Sequence, residues 1–281
     1  MATRTLPVRT LTAPGDGPVL LGIFLPDGVI ETRTEPGREV AEVTLTATSA
    51  DPALADALEA AKLTWNANRH ELTVVVPIVS TGVASHVHVE GTSMFAAVNT
   101  GTTNGITIDG DSISEVTSTL QLTARLPERS GIVARTRSAD LDAHGTYKGI
   151  KYDSLSGALT AGNVQWLLAE TMSGDISADI TERVQARSTS GDVRIGRTLD
   201  IVARSVSGDL SIGDYAGPTG APAGLSTTSG DIALTATGPG TVTARSATGS
   251  IDISAGPRLA PGTLTVDATS DRGRVRTPGA H

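Results

Sequence analysis

The sequence contains no cysteine, and aromatic residues make up only 2% of its 281 residues. Without cysteine, the chain can form no disulfide, no zinc-thiolate site and no thiol nucleophile. With so few aromatic side chains, we expect thin walls built from aliphatic and β-branched residues rather than a globular sandwich filled by aromatic plugs.

Long hydrophobic runs and an excess of positive charge are also missing. The N-terminal apolar run, Val19–Leu25, has seven residues, too few to cross a bilayer or to form a secretory signal. We therefore expect no membrane span and a cytoplasmic location. Because the net charge is −8, we expect no nucleic-acid partner.

What the sequence does contain is a repeated phrase, Ser-Gly-Asp, which begins at Ser173, Ser190, Ser207 and Ser229, and the first three copies are 17 residues apart. Repetition at a fixed period indicates stacked structural units. The residue after the serine serves as the anchor of each repeat. The anchors are Ala139, Gly157, Gly174, Gly191, Gly208, Gly230, Gly249 and Gly273.

Apolar residues recur at fixed distances from the anchors. Around Gly191 they are Val184, Ala186 and Val193, with the hydroxyl residue Ser188 in the same alternation. This period of two is typical of strands that bury one face. The pattern predicts an all-β fold, a parallel β-solenoid with rungs of about 17 residues, in which each rung is a strand, a tight corner and a second strand. The buried hydroxyls should form a ladder, since an unpaired buried hydroxyl costs about 1–3 kcal/mol.

The Ser-Gly-Asp corner has two interpretations. In the first, glycine supplies a positive φ while serine and aspartate bind the turning backbone. In the second, Asp175, Asp192 and Asp209, about 4.8 Å apart on successive rungs, hold a column of cations. We favour the first, because an outward column four residues before the anchors contains arginines that can neutralise the aspartates: Arg135, Arg187, Arg204 and Arg245.

The chain divides into four predicted parts. Residues 1–80 form an N-terminal β capping region with a helix at 52–61, for which Asp51 is the N-cap. Strands are predicted at Val19–Phe24, Gly28–Thr34, Glu39–Thr48, Leu63–Trp65 and Glu71–Val76, with Trp65 as a core plug. Residues 81–122 form irregular or imperfect rungs, residues 123–277 the solenoid repeats, and residues 278–281 a tail.

We assign no catalytic, cofactor-binding or metal-binding residue and no cofactor. His86, His88 and Glu90 share one face of a predicted strand and could hold a metal with His70, but a solvated strand face explains them as well. The segment Gly217–Gly224 lengthens one rung by five residues and should project as a loop, where binding residues are common.

The phrase apolar-x-Ala-Arg-Ser-x-Ser-Gly-Asp-apolar, together with the approach Ala124-Arg125-Leu126-Pro127, resembles the bacterial putative-adhesin family of β-strand-repeat domains of unknown function. The resemblance covers about Thr123 to Thr277. It implies a single-stranded β-helix without known catalytic residues, found often in envelope-associated proteins.

These observations predict a non-catalytic scaffold or protein-interaction module, for which envelope or stress processes are the expected setting. Its protein partner is unknown, and because both ends carry features that block further pairing, we expect a monomer or small closed oligomer. The alternatives are a carbohydrate-acting β-helix enzyme and a polymer-forming, bactofilin-like cytoskeletal solenoid.

Overall fold

The computed structural model describes residues 6–49, 51–77, 119–217, 222–260 and 262–278. These residues form nineteen strands in one sheet and one short helix, α1 (Pro52–Ala60). The strands are β1 (Val8–Asp16), β2 (Leu20–Leu25), β3 (Val29–Glu35), β4 (Val40–Ala47), β5 (Lys62–Asn66), β6 (Glu71–Val75), β7 (Leu120–Pro127), β8 (Gly131–Thr136), β9 (Asp140–Ser154), β10 (Leu159–Thr171), β11 (Ile176–Arg187), β12 (Val193–Arg204), β13 (Leu210–Tyr215), β14 (Pro222–Thr227), β15 (Ile232–Ala236), β16 (Gly240–Ser246), β17 (Ile251–Ala255), β18 (Leu264–Ser270) and β19 (Val275–Arg276).

Equivalent residues of successive repeats lie opposite each other in parallel pairs. Leu159 of β10 pairs with Ile176 of β11, which pairs with Val193 of β12. The predicted mostly-β chain with parallel strands is confirmed. After β12 the sequence separation between paired residues increases, since Ile201 pairs with Ala223 across the lengthened repeat.

The predicted alternation of buried and exposed residues is correct, but the strands are longer than expected. β12 buries Val193 and Ile195 near its start and Ile201 and Ala203 near its end. Between them the chain bends, and Thr198 also points inward with no exposed surface. One strand therefore crosses two walls: the first wall holds the residues after each corner, and the second wall holds the residues before the next corner.

The anchor glycines do not have the positive φ that the sequence suggested. The glycines with positive φ in the described residues lie elsewhere, at Gly17, Gly28, Gly37, Gly145, Gly240 and Gly262. At Gly191, an added Cβ would instead overlap the carbonyl oxygen of Gly174, the anchor one repeat earlier, and the same overlap occurs at Gly174, Gly208, Gly230, Gly249 and Gly273. Glycine is required because neighbouring backbones touch.

The serine and threonine residues three positions before the anchors, which we call the hydroxyl column, form hydrogen bonds with the backbone. From Ser154 onward, each hydroxyl accepts the N–H of its own anchor, as Ser188 does from Gly191 at 2.8 Å. Several also donate to the preceding anchor's carbonyl, as Ser246 does to Gly230 at 3.1 Å. A direct hydroxyl contact joins Thr136 and Ser154. The predicted ladder between hydroxyls is otherwise wrong, because the corner amides need an acceptor.

Buried tyrosines, and not Trp65, fill the interior. Trp65 is half-buried and meets His70 edge-on, with ring centroids 5.7 Å apart. Tyr147, Tyr152 and Tyr215 are fully buried. The hydroxyl of Tyr147 lies 2.8 Å from that of Thr32, and that of Tyr152 donates to the Ala139 carbonyl at 2.9 Å. Burial raises the pKa of all three tyrosines.

Antiparallel strands and α1 lie at the N-terminal side of the parallel strands. β1 pairs with β4 and β4 with β7, while β5 pairs with β6. The helix begins at Pro52 with Asp51 as N-cap, as predicted, and buries Ala57 and Leu58. Arg9, on the unpredicted strand β1, donates to the carbonyl of Leu58 at 2.9 Å.

In the described parts of the chain, no helix has the length and apolar character that crossing a membrane requires. The four-part division of the chain stays a prediction.

The close approach of the anchors predicts that Gly191→Ala destabilises the protein by about 1–3 kcal/mol, because the added methyl group must push two backbones apart. Gly224→Ala is the matched control, since its nearest neighbour would be Val202 Cγ2 at 4.0 Å, and it should be neutral or slightly stabilising. Urea unfolding of the two variants measures the difference. Equal stabilities would contradict the assigned backbone contact.

Candidate functional site

The aspartate column links the repeats by hydrogen bonds. The Oδ1 atom of Asp175 accepts the backbone N–H of Asp192 at 2.8 Å, and that of Asp192 accepts the N–H of Asp209 at 2.8 Å. Arg194 also lies 3.4 Å from Asp175 and 2.5 Å from Asp192. The expected neutralisation therefore comes from Arg194, three residues after an anchor, and not from the arginine column before the anchors.

The other candidates from the sequence are not brought together. His70 lies in the turn between β5 and β6. His86, His88 and Glu90 lie outside the described residues, as do residues 218–221 of the Gly217–Gly224 segment. Within the described ranges, no three His, Asp or Glu residues are grouped so that they could hold a metal.

A strip of exposed side chains on the second wall is the best-formed candidate site. It consists of two outward columns, two and four residues before the anchors, and we call it the outer strip. One column holds Leu155, Met172, Thr189 and Val206, and the other holds Asp153, Glu170, Arg187 and Arg204.

The strip forms a shallow groove of about 580 Å³. Leu155, Met172 and Val206 are 50%, 55% and 47% exposed, respectively. They share one face because they occupy equivalent positions in the corners that follow β9, β10 and β12, and neighbouring strands of the stack lie about 4.8 Å apart. These three residues form the apolar row of the strip, with Thr189 between the last two. Only Met172 and Val206 of the row line the groove, beside the charged row.

Ion pairs neutralise only part of the charged row. Asp153 lies 3.5 Å from Arg135 and 3.9 Å from Lys151, and Glu170 lies 3.5 Å from Arg187. Arg204 has no ion pair in the part of the chain that the structure describes. The acidic end of the row is thus neutralised, while the end at Arg187 and Arg204 keeps positive charge.

The arginine column was predicted from the sequence, but the column of exposed apolar residues was not. The available signal was an apolar residue at outward parity, directly before the serine of the corner, as Met172 precedes Ser173. Polar residues are expected at such positions of a strand with one buried face. Their exposure makes the strip a candidate contact surface.

Because the aspartates already bind the backbone, millimolar calcium should leave the melting temperature unchanged. A ligand that binds only the folded state raises the melting temperature. Calorimetry with calcium and with chelator measures the shift. Asp192→Asn, which keeps an acceptor oxygen, should melt higher than Asp192→Ala. A calcium-dependent rise of several degrees would show that the column is a cation site.

Comparison with solved structures finds chains of similar fold. A structure from Bacteroides fragilis described as a "putative adhesin" has 13% identity, a TM-score of 0.50 and 97% coverage of each chain. A "putative adhesin" from Parabacteroides distasonis has 12% identity, a TM-score of 0.44 and the same coverage. A "putative lipid binding protein" from the same species has 11% identity, a TM-score of 0.36 and coverage of 96% and 97%.

At such low identity, the B. fragilis structure shows a shared fold alone. No curated protein matches the sequence. The family model described as Toastrack DUF4097 matches residues 36–278, which is most of the chain. This match and the described adhesins confirm the resemblance inferred from the repeats. The chain therefore belongs to the Toastrack DUF4097 family.

Proposed function

We propose that this protein is a non-catalytic β-solenoid scaffold that holds another protein on its outer strip. Support for the solenoid comes from the register, because equivalent residues of successive repeats pair along both walls: Leu167, Val184 and Ile201 on one, and Leu159, Ile176 and Val193 on the other. Those pairs support a stack with rungs of about 17 residues.

The observation that carries the interaction role is the exposed apolar row of Leu155, Met172 and Val206. Burying such a side chain completely is worth about 1.5–3 kcal/mol, so a partner that covers the row gains binding free energy. Aligned exposed apolar residues mark interaction surfaces more often than scattered ones do. The description of the B. fragilis structure as an adhesin agrees with a binding role.

The cytoplasmic location and the monomeric or small closed assembly belong to this proposal. In the described residues, α1 follows β4 and packs the buried residues Ala57 and Leu58 on the apolar core. A helix packed against the sheet on this side hinders further strand pairing, which favours a closed assembly over a filament.

Site-specific photo-crosslinking tests the proposed contact. A photoreactive amino acid replaces Met172 in the full-length chain, expressed in the cells that make the protein, and Ser211, exposed on the first wall, is the control position. We expect a discrete protein adduct from position 172, weakened by Val206→Glu, and none of the same size from position 211.

Identical adducts from both positions, or none from position 172, would contradict the proposed contact. Release of reducing ends from polysaccharides by the purified protein, abolished by substitution of strip carboxylates such as Glu170→Gln, would instead support the carbohydrate-acting enzyme.

A further inference from the structure

We infer that the partner contributes an acidic segment with apolar side chains, and that this segment binds at the end of the outer strip formed by Arg187 and Arg204. The inference rests on the proposed function, since it names the chemistry that the same strip recognises. Three features of this end support it: its charge, its apolar neighbours and the small residues beside it.

The positive charge at this end is only partly compensated. Arg187 and Arg204 are direct neighbours in the parallel pairing of β11 and β12, and their backbones lie about 4.8 Å apart. Only one of the two has a carboxylate partner, because Glu170 lies 3.5 Å from Arg187 while no carboxylate of the described residues reaches Arg204. Like charges directly opposite each other destabilise a strand pair, and a carboxylate from outside would relieve this repulsion.

Arginine is also suited to such a ligand. Its planar guanidinium presents paired N–H donors that match the two oxygens of a carboxylate. With net charge −8 over the whole chain, an acidic segment is repelled by most of the surface. The segment is therefore directed to the few places where positive charge is left over.

The apolar neighbours restrict the ligand further. Along its own strand, Arg204 lies between the outward positions of Val202 and Val206, which are 37% and 47% exposed. Met172 adds a flexible apolar side chain to the same groove. A bare anion would leave these side chains in water, whereas a segment that combines carboxylates and apolar side chains covers both kinds of surface.

The next repeat leaves room for such a segment. Val202 pairs with Gly224, and Arg204 pairs with Ser226. Gly224 and Ser226 are small, so the outer surface is lower beside Arg204 than on β12 itself. The backbone of a bound segment can lie in this depression, with a carboxylate against the guanidinium and an apolar side chain against Val202 or Val206.

Fluorescence anisotropy with synthetic peptides tests the inference on the full-length protein. The probe is a labelled decapeptide of alternating glutamate and leucine, compared with a glutamine–leucine peptide and an all-glutamate peptide. We expect the first to bind most tightly at low salt and to weaken as salt rises, because screening acts on exposed charges.

Charge reversal locates the contact. Arg204→Glu should weaken binding of the glutamate–leucine peptide by about tenfold or more. Arg69→Glu is the matched control, because Arg69 is an exposed arginine in the turn between β5 and β6, several strands from β12, and lies 3.9 Å from Glu71; it should change the affinity less than about twofold, as expected for distant charges under screening. Arg204 is exposed, and thermal melts of both variants verify that they fold.

Equal binding of the glutamine–leucine peptide, or equal losses from both reversals, would overturn the inference. Binding to vesicles with anionic lipids, without binding to any peptide, would assign the site to a lipid surface instead. If none of the peptides binds while the crosslink from position 172 persists, the proposed scaffold function is retained and the inferred chemistry of the partner is wrong. Loss of that crosslink alone would refute the proposed function.

Discussion

The close contact between backbones at the Ser-Gly corner is the constraint on which the rest of the structure depends. Each anchor glycine lies so near the carbonyl of the preceding anchor that a methyl group would overlap it. The amide of the corner is bound by a hydroxyl three residues earlier, as Gly208 is by Ser205 at 2.8 Å. Because one wrong spacing at the corner would shift every later pair, glycine and hydroxyl together fix the register of both walls.

The fixed register also determines what the surface can present. Inward positions are restricted to residues that fit the core, such as Ala186 and Ala203, which have no exposed surface. Outward positions carry no such restriction, but the stacking arranges them in straight columns. A few substitutions in one column therefore produce an extended surface feature, and the outer strip with Met172, Val206 and Arg204 is such a feature.

The sequence was sufficient for the alternation, the parallel pairing and the start of α1, since these depend on local patterns such as Asp51-Pro52. It was insufficient for contacts made along the direction of stacking. Glycine at the corner suggested a positive φ, whereas the structure requires it for space between repeats. Tyr152 occupies the inward column five residues before its anchor, but Tyr147 and Tyr215 were missed because the alternation of buried and exposed residues is interrupted beside them. The unpaired charge of Arg204 depends on its neighbours across strands, including Ser226 in a repeat of unusual length.

Native-state hydrogen exchange measured residue by residue tests the central constraint most directly. The amides of Gly174, Gly191 and Gly208 donate to buried hydroxyls at corners of the chain. If the stacked corners fix the register, these amides exchange only when the whole protein unfolds, as slowly as the amides of Ile176 and Val193 in the adjoining strands. Exchange as fast as that of an exposed loop would contradict the account, because the corners would then open without disturbing the walls.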